Sequence, residues 1–158
     1  MKAKFLIAVI SVLLAAQVSG CGLLKENFAI VLADTGETIL TERHIAAYHS
    51  DGTIDLNQKG IEKWNSYHTY PDIPKLAETL YQKEFIIKIN GKEICRGKFW
   101  SMVSSQSVEG IVILDSLFKL DDEIHTIKIQ ATYPWGEPLA PAVSSELERF
   151  FANRHLLK

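Results

Sequence analysis

Residues 85–99 read FIIKINGKEICRGKF. Two runs rich in isoleucine flank Asn90-Gly91, the residue pair that best tolerates the positive φ angles of a type I′ turn. A two-residue loop at this pair fixes the strand register by counting outward from it. The partners predicted in this way are Lys88 with Glu93, Ile87 with Ile94, and Ile86 with Cys95. One pair of opposite charges and two apolar pairs agree with this register, so the segment predicts a central β-hairpin.

Other strand-like segments lie on both sides of this hairpin. Residues 28–33 are continuously apolar and of strand length, and residues 111–114 are apolar throughout, which is typical of an interior strand covered on both faces. Residues 124–133 alternate instead and predict a strand with one wet side, on which lie Thr126, Lys128, Gln130 and Thr132. Residues 53–56 predict a further short strand.

Helix signals occupy the sequence between these strands. Thr41-Glu42 predicts the start of a short helix that carries Ile45 and Tyr48, and Asn57 predicts the N-cap of a helix to about Tyr67 with Ile61 and Trp64 in the core. Pro74 suits the first turn of another helix. Ser145 with Glu148 forms the capping box of a C-terminal helix. Strands and helices mix without regular alternation. The chain is therefore predicted to be α+β, with a mainly antiparallel sheet around the hairpin, two or three packed helices and a C-terminal helix.

The first 21 residues carry the strongest functional signal in the chain. Lys2 and Lys4 form a basic start, residues 5–18 are almost entirely apolar, and two small residues precede Cys21. This order is typical of a secretory signal, and the apolar run is shorter than the ~20 residues of a membrane-spanning helix.

The end of this segment, Val18-Ser19-Gly20-Cys21, resembles the lipobox of bacterial lipoproteins. The resemblance implies cleavage before Cys21 by signal peptidase II and a covalent lipid on that cysteine. We therefore expect a signal peptide at 1–20, a lipidated tether at 21–27 and a single domain at 28–158, anchored on the extracytoplasmic side of the bacterial cell envelope. In a cell with two membranes, Gly22 implies the outer membrane. An ordinary cleaved signal with an incidental cysteine, and an uncleaved anchor, are the alternatives.

Charge and cysteine content fit this location. Residues 1–20 hold two lysines and no acid, so their removal changes 17 basic and 19 acidic residues into 15 and 19, a formal charge of −4. An acidic chain without a basic stripe is a poor match for nucleic acid. With lipid on Cys21, Cys95 has no disulfide partner. Its place in a strand predicts a small buried side chain.

The domain resembles two kinds of bacterial envelope protein. Residues 54–64 and 85–94 are similar to part of the periplasmic head of SecD, a protein-export subunit, which implies a β-α-β-hairpin architecture and not an export role. A second resemblance is to small uncharacterised bacterial lipoproteins and secreted domains. It rests on Gly97-Lys98-Phe99-Trp100-Ser101, Ser104-Ser105-Gln106-Ser107 and Gly110-Ile111-Val112-Ile113. It implies a similar fold over most of residues 41–133 and no established activity.

A cluster of serines follows the hairpin, at positions 101, 104, 105 and 107. A serine nucleophile needs a positioned base and an oxyanion hole. The chain has no Gly-x-Ser-x-Gly, no Ser-x-x-Lys follows these serines, and the five histidines are scattered. The pattern favours hydroxyls that bond the local backbone in turns, with no catalytic residue. A surface hydrolase using one of Ser101, Ser104, Ser105 and Ser107 is the alternative.

Metal ligands and cofactor motifs are not indicated by the sequence. His44 and His49 are five residues apart, which does not align them on one helix face, and His68 joins them only if the fold gathers all three. We therefore predict no metal and no cofactor other than the covalent lipid on Cys21.

Large aromatic side chains in or beside loops are the best candidates for a binding surface. They are Tyr67, Tyr70, Trp100 and Trp135. With the adjacent serines, the candidate binding residues are Tyr70, Trp100, Ser101, Ser104, Ser105 and Trp135. The structural alternative is packing at the edge of the core.

The function predicted from these features is that of a membrane-anchored, non-enzymatic binding or assembly accessory. Its partners would be the lipid bilayer, through the acyl chains, and an envelope protein or cell-wall ligand. Beside the hydrolase, the other alternative is a passive structural lipoprotein, which predicts neither a cleft nor an exposed apolar patch.

Overall fold

The computed structural model describes residues 27–68, 79–115 and 118–158. In this part of the chain the strands are β1 (Phe28–Leu32), β2 (Thr38–Thr41), β3 (Ile45–Tyr48), β4 (Thr53–Leu56), β5 (Glu84–Ile89), β6 (Lys92–Ser101), β7 (Val108–Asp115) and β8 (Thr126–Tyr133). The helices are α1 (Gln58–Asn65) and α2 (Pro141–Asn153), and a 3-10 turn, Glu42–His44, joins β2 to β3. The class is α+β, as predicted.

The eight described strands form one curled, mixed sheet in the order β2-β1-β5-β6-β7-β8-β4-β3. Strands β6 and β7 pair parallel, and the other neighbours pair antiparallel. The two edge strands follow each other in the chain, since β2 ends at Thr41 and β3 begins at Ile45. Four residues span at most about 14 Å. The edges must therefore lie close together, which curls the sheet toward a barrel.

The core lies on the inner face of this curl. One hydrophobic cluster draws buried side chains from every described strand and from both helices. At one end Phe151 of α2 stacks on Tyr48, with ring centroids 4.7 Å apart, and contacts Phe28 at 5.1 Å. Toward α1, Trp64 meets Phe99 edge-on at 6.0 Å. The helices thus fill the interior of the curl rather than covering its outer face.

The turn Asn90-Gly91 joins β5 to β6, with φ angles of 54° and 77°. Next to the turn, Lys88 pairs with Glu93. Beyond this pair β6 contains a bulge, so Ile87 pairs with Cys95 and Ile86 with Arg96. The predicted partners of these two isoleucines are therefore wrong by one residue. The extra residue, Ile94, places Cys95 opposite the buried Ile87 and in the core.

The segment after Thr41 forms a strand, and the helix predicted there is wrong beyond one 3-10 turn. Ile45–Tyr48 pairs with β4 across a turn in which Gly52 has φ 87°. This pairing buries Ile45 and Tyr48 in the core. A helix of one or two turns has little stability of its own, so the segment adopts the strand that the sheet can bury.

The helix predicted after Asn57 forms, and its cap is the expected one. The Gly60 amide donates to Asn57 Oδ1 at 3.1 Å, and Ile61 and Trp64 are buried. The helix ends at Asn65, two residues before the predicted end.

The C-terminal helix begins earlier than predicted. Pro141 occupies its first turn, where a missing amide hydrogen carries no cost, so Ser145 lies inside the helix and does not cap it. The helix packs on the core through Leu147, Phe150 and Phe151, which are buried. The predicted helix at Pro74, the signal segment 1–20, Cys21 and Tyr70 lie outside the described residues.

Candidate functional site

Residues 102–107, which we call the crossover loop, connect the parallel strands β6 and β7. Such connections normally need a dozen or more residues, whereas this one has six. A bend in β7 and β8 explains the difference, because Gly110 has φ 100° and Thr132 has φ 59° beside a bulge in their pairing. The bend folds the start of β7 and the end of β8 back toward the end of β6.

Contacts of Tyr133 demonstrate this folding. Tyr133 pairs with Val108 at the start of β7. The other end of β7 adjoins Ser101, and Val108 is seven residues, or about 23 Å of straight strand, from that end. The Tyr133 hydroxyl nevertheless donates to the carbonyl oxygen of Met102 at 2.7 Å and lies 3.2 Å from that of Ser104. Tyr133 therefore pins the crossover loop from the other side of the bend.

Trp100 lies beneath the crossover loop and is 4% exposed. It follows Phe99 in β6 and so points to the outer face of the sheet, away from the main core. Its indole N–H donates to the carbonyl of Gln106 at 3.3 Å, and its ring contacts that of Tyr81 with centroids 5.0 Å apart. Trp100, predicted as a binding residue, is thus placed as a packing residue that supports the loop.

The serines of this region take part in local hydrogen bonds. Ser101 is buried, and its hydroxyl accepts the Val103 amide at 3.2 Å. The Ser104 hydroxyl accepts the Gln106 amide at 3.2 Å and lies 3.2 Å from the Tyr81 hydroxyl. Ser105 and Ser107 are exposed. The bonds of Ser101 and Ser104 shape the turns of the loop, which is the structural role that hydroxyls play in turns.

This region carries exposed apolar side chains. Within the described residues, the exposed large hydrophobic side chains all belong to three connections between elements, and they are Met102 (55%), Val103 (68%), Phe118 (68%), Ile124 (48%) and Trp135 (71%). Met102 and Val103 follow Ser101 directly, and Trp135 follows Tyr133 by two residues. We call Met102, Val103 and Trp135 the apolar rim.

The sequence predicted only one member of the rim, Trp135. Met102 and Val103 were missed, although two apolar residues at the start of a serine-rich loop are a usable signal. The connection 134–140 that carries Trp135 also folds onto β8, where Ala131 bridges to Glu137. This covers Gln130, which is buried rather than on the predicted wet side, and its amide donates to the carbonyl of Thr132 at 2.9 Å.

The three connections that carry exposed apolar side chains are mostly acidic. The connections 102–107, 118–125 and 134–140 contain one basic residue, Lys119, and four acidic ones, Asp121, Asp122, Glu123 and Glu137. Hydrogen bonds from the backbone amides of Ile124 and Glu123 hold the pKa of Asp121 below its usual value. The side chain of Asn65 fixes the same connection, because it bonds both backbone groups of Leu120 at 2.8 and 3.0 Å.

The start of the described chain lies at the opposite end of β6. The amide of Asn90 donates to the carbonyl of Asn27 at 2.8 Å, which holds Asn27 beside the hairpin turn. Strand β6 then runs from Lys92 to Ser101, about 30 Å along the strand, before the rim begins. The turn region 88–93 carries two lysines and one glutamate, so its charge has the opposite sign from that of the rim connections.

Two surface grooves are lined by other described residues. The larger, about 450 Å³, is lined by Asn27, Phe28, Ala29, Thr38, Thr41, Glu42 and Arg43, and the smaller, about 220 Å³, by Glu84, Arg96, Gly97, Lys98, Val108, Glu109, Gly110 and Ile111. Neither groove is lined by a sequence-predicted binding residue. The rim itself stands out on loops, which suits a macromolecular partner better than an enclosed small molecule.

The three histidines considered as metal ligands have separate partners. His44 Nδ1 accepts the Thr41 amide at 3.0 Å, His49 Nε2 lies 3.0 Å from an Asp55 carboxylate oxygen, and His68 Nδ1 lies 3.0 Å from the Trp64 carbonyl. Over the described ranges, no group of three or more His, Cys, Asp or Glu side chains is arranged to hold a metal ion. The fold therefore does not gather these three histidines.

Tyr67 and Cys95, the other two residues considered in the sequence, have structural roles. The Tyr67 hydroxyl donates to Glu37 Oε1 at 2.9 Å, which joins the end of α1 to the turn before β2. Cys95 is a free, buried thiol, and burial raises its pKa to about 12. The predicted small buried side chain at this position is confirmed.

Comparisons of the chain with protein-family models, with curated protein sequences and with solved structures give no match. Of the helices that the structure describes, none has the length and apolar character needed to cross a membrane. The features that indicate function are therefore the N-terminal sequence, the fold and the apolar rim.

Proposed function

We propose that the protein is a lipid-anchored, extracytoplasmic and non-enzymatic binding module of the bacterial cell envelope. Cys21 carries the anchor, in the outer membrane if the cell has two membranes, and the apolar rim binds an envelope partner. The observation that carries the proposal is the separation of Asn27 from the rim by the length of β6. A domain held at one end and apolar at the other presents its binding surface away from the bilayer.

The tether length supports this arrangement. Residues 22–27 reach at most about 20 Å, so Asn27 and the hairpin turn stay near the membrane surface. The lysines of the turn, Lys88 and Lys92, face an anionic bilayer at lower electrostatic cost than the acidic rim connections do. Two or more acyl chains make such an attachment effectively stable.

The rim also separates a binding module from a passive structural lipoprotein. A passive protein needs no large apolar side chains in solvent, and Met102, Val103 and Trp135 are all exposed on loops that Tyr133 links. A tryptophan that is 71% exposed on a connection bonded to β8 is the kind of side chain that dominates binding energies.

The anchor is tested by Cys21→Ser in the native host. We expect the variant to leave the membrane fraction and to lose incorporation of labelled palmitate, with Cys95→Ser as the matched cysteine control that keeps both. Unchanged fractionation and labelling of Cys21→Ser would overturn the proposal.

The orientation is tested with single labels on the lipidated protein in vesicles that contain spin-labelled lipid. Fluorophores attached at Lys92→Cys and at Met102→Cys report the two ends of β6, because Cys95 is buried and does not compete for label. We expect quenching at position 92 and little at position 102. Stronger quenching at position 102 would place the rim on the bilayer and contradict the proposal.

A further inference from the structure

The crossover loop, which carries Met102 and Val103, is bonded to residues beneath and beside it. Tyr133 bonds the carbonyls of Met102 and Ser104, and Trp100 bonds that of Gln106, so the crossover loop is held from beneath and from the side. A loop held by such bonds loses less conformational entropy on binding than an unconstrained loop. Met102 and Val103 are exposed in this bonded conformation.

The net charge of the three connections favours some partners over others. The three rim connections carry a formal charge of −3, from one lysine and four acids. In a symmetric dimer through this surface, each acidic connection would meet its own copy, which is repulsive. An anionic bilayer surface is disfavoured for the same reason, and the rim lies about 30 Å along β6 from the anchor end.

We propose, on the basis of the proposed function, that the apolar rim binds a cationic segment of a partner protein. This segment would carry apolar side chains flanked by lysine or arginine. Its apolar side chains would cover Met102, Val103 and Trp135. Its basic side chains would lie near Asp121, Asp122, Glu123 and Glu137. Opposite charges of this kind raise the association rate and set partner choice, while the apolar contacts supply most of the affinity.

The test uses the lipidated full chain in phosphatidylcholine nanodiscs, with empty discs as the blank. The probe is a fluorescent peptide with three repeats of Lys-Leu-Lys-Ser, compared with the same peptide carrying glutamate in place of lysine. We expect anisotropy to show binding of the lysine peptide alone. We expect this binding to weaken at least fivefold when the NaCl concentration rises from 50 to 300 mM.

Variants assign the binding to the rim. Trp135→Ala should weaken the lysine peptide about fivefold or more, and the double variant Asp122→Asn/Glu123→Gln about threefold. Glu93→Gln removes one acid at the other end of β6 and should leave binding unchanged, while circular dichroism verifies folding of each variant. Equal weakening by Glu93→Gln would mean nonspecific attraction to an acidic protein and would overturn the inference.

A neutral glycan ligand is the competing outcome. Binding of a hexamer of N-acetylglucosamine that depends on Trp135 but not on salt, without binding of the lysine peptide, would replace the cationic partner. That result would leave the anchored binding module intact. Loss of Cys21-dependent anchoring, by contrast, would remove the proposed function whatever the peptide does.

Discussion

Asn27 and Asn90 are joined by two hydrogen bonds that run in opposite directions. The Asn90 amide donates to the Asn27 carbonyl at 2.8 Å, and the Asn27 amide donates to Asn90 Oδ1 at 2.9 Å. The same asparagine that forms the hairpin turn therefore fixes where the chain enters the sheet. The geometry of this turn sets both the register next to it and the exit point of the proposed tether.

The first prediction contrasts two glycines. At Gly91, φ is 77° and an added Cβ meets nothing within 4 Å, so Gly91→Ala adds only backbone strain, about 1 kcal/mol. We expect a fall in Tm of a few degrees. At Gly97 an added Cβ would overlap the Ile111 carbonyl and the Phe85 ring, so Gly97→Ala should lower Tm far more than Gly91→Ala does. Thermal unfolding followed by circular dichroism measures both, and equal effects would contradict the described pairing of β6 with β7.

The second prediction concerns two tyrosine hydroxyls. Within the described residues, the hydroxyl of the buried Tyr48 has no hydrogen-bond partner, whereas that of Tyr133 bonds the Met102 carbonyl at 2.7 Å. Tyr48→Phe should therefore leave the free energy of unfolding unchanged or raise it. Tyr133→Phe should lower it by about 1 kcal/mol. Urea titrations of both variants measure the free energy of unfolding. A larger decrease for Tyr48→Phe than for Tyr133→Phe would contradict the described placement of Tyr48.

The third prediction is that Cys95 is unreactive in the folded protein. Burial raises its pKa to about 12, so very little thiolate exists at pH 8. Iodoacetamide at pH 8 should modify the Cys21→Ser variant only after unfolding in urea, as judged by mass spectrometry. Rapid modification of the folded variant would show that the thiol is accessible.

The fourth prediction is a loss of stability in mild acid that depends on His44. Burial, followed by the charges of Arg43, Lys63 and Lys59, lowers the pKa of His44, and its Nδ1 accepts the Thr41 amide. In the unfolded state the His44 imidazole has a pKa of about 6.5, so it binds a proton more readily there than in the folded state. Its contribution to the free energy of unfolding is therefore complete above pH 6.5 and is lost as the pH falls through the lowered pKa.

A substitution isolates this contribution from that of the carboxylates. His44→Gln removes the titration at position 44, so its Tm should change less than that of the parent protein between pH 7 and pH 5. Parallel curves for the two proteins would rule out His44 as the titrating group.

The sequence predicted those parts of the fold that depend on neighbouring residues. Asn90-Gly91 and Asn57 act through their own backbone and the next few residues, so the turn and the cap of α1 could be read directly. The bulge at Ile94 depends on which β6 side chains the core accepts. The strand at Ile45–Tyr48 depends on β4, and neither partner is visible in a local pattern.

The candidate site was harder to predict than the fold, for the same reason. Trp100 and Trp135 look alike in the sequence, since each lies beside small or turn-forming residues. Trp100 is 4% exposed because the crossover loop and Tyr81 cover its ring. Trp135 is 71% exposed because it lies beyond the bend in β8. That bend arises from Gly110 and Thr132 together, two residues that are far apart in the chain.

The C-terminal residues have a consequence for self-association. At the edge strand β3, Leu156 accepts the Tyr48 amide at 2.8 Å and the Lys158 amide donates to the Tyr48 carbonyl at 2.9 Å. At the other edge, the Tyr67 hydroxyl lies 3.4 Å from the carbonyl of Thr38. Unpaired strand edges are templates for intermolecular β-pairing. At high local density of the protein, these contacts leave fewer backbone groups at the two edges for pairing with a neighbouring copy.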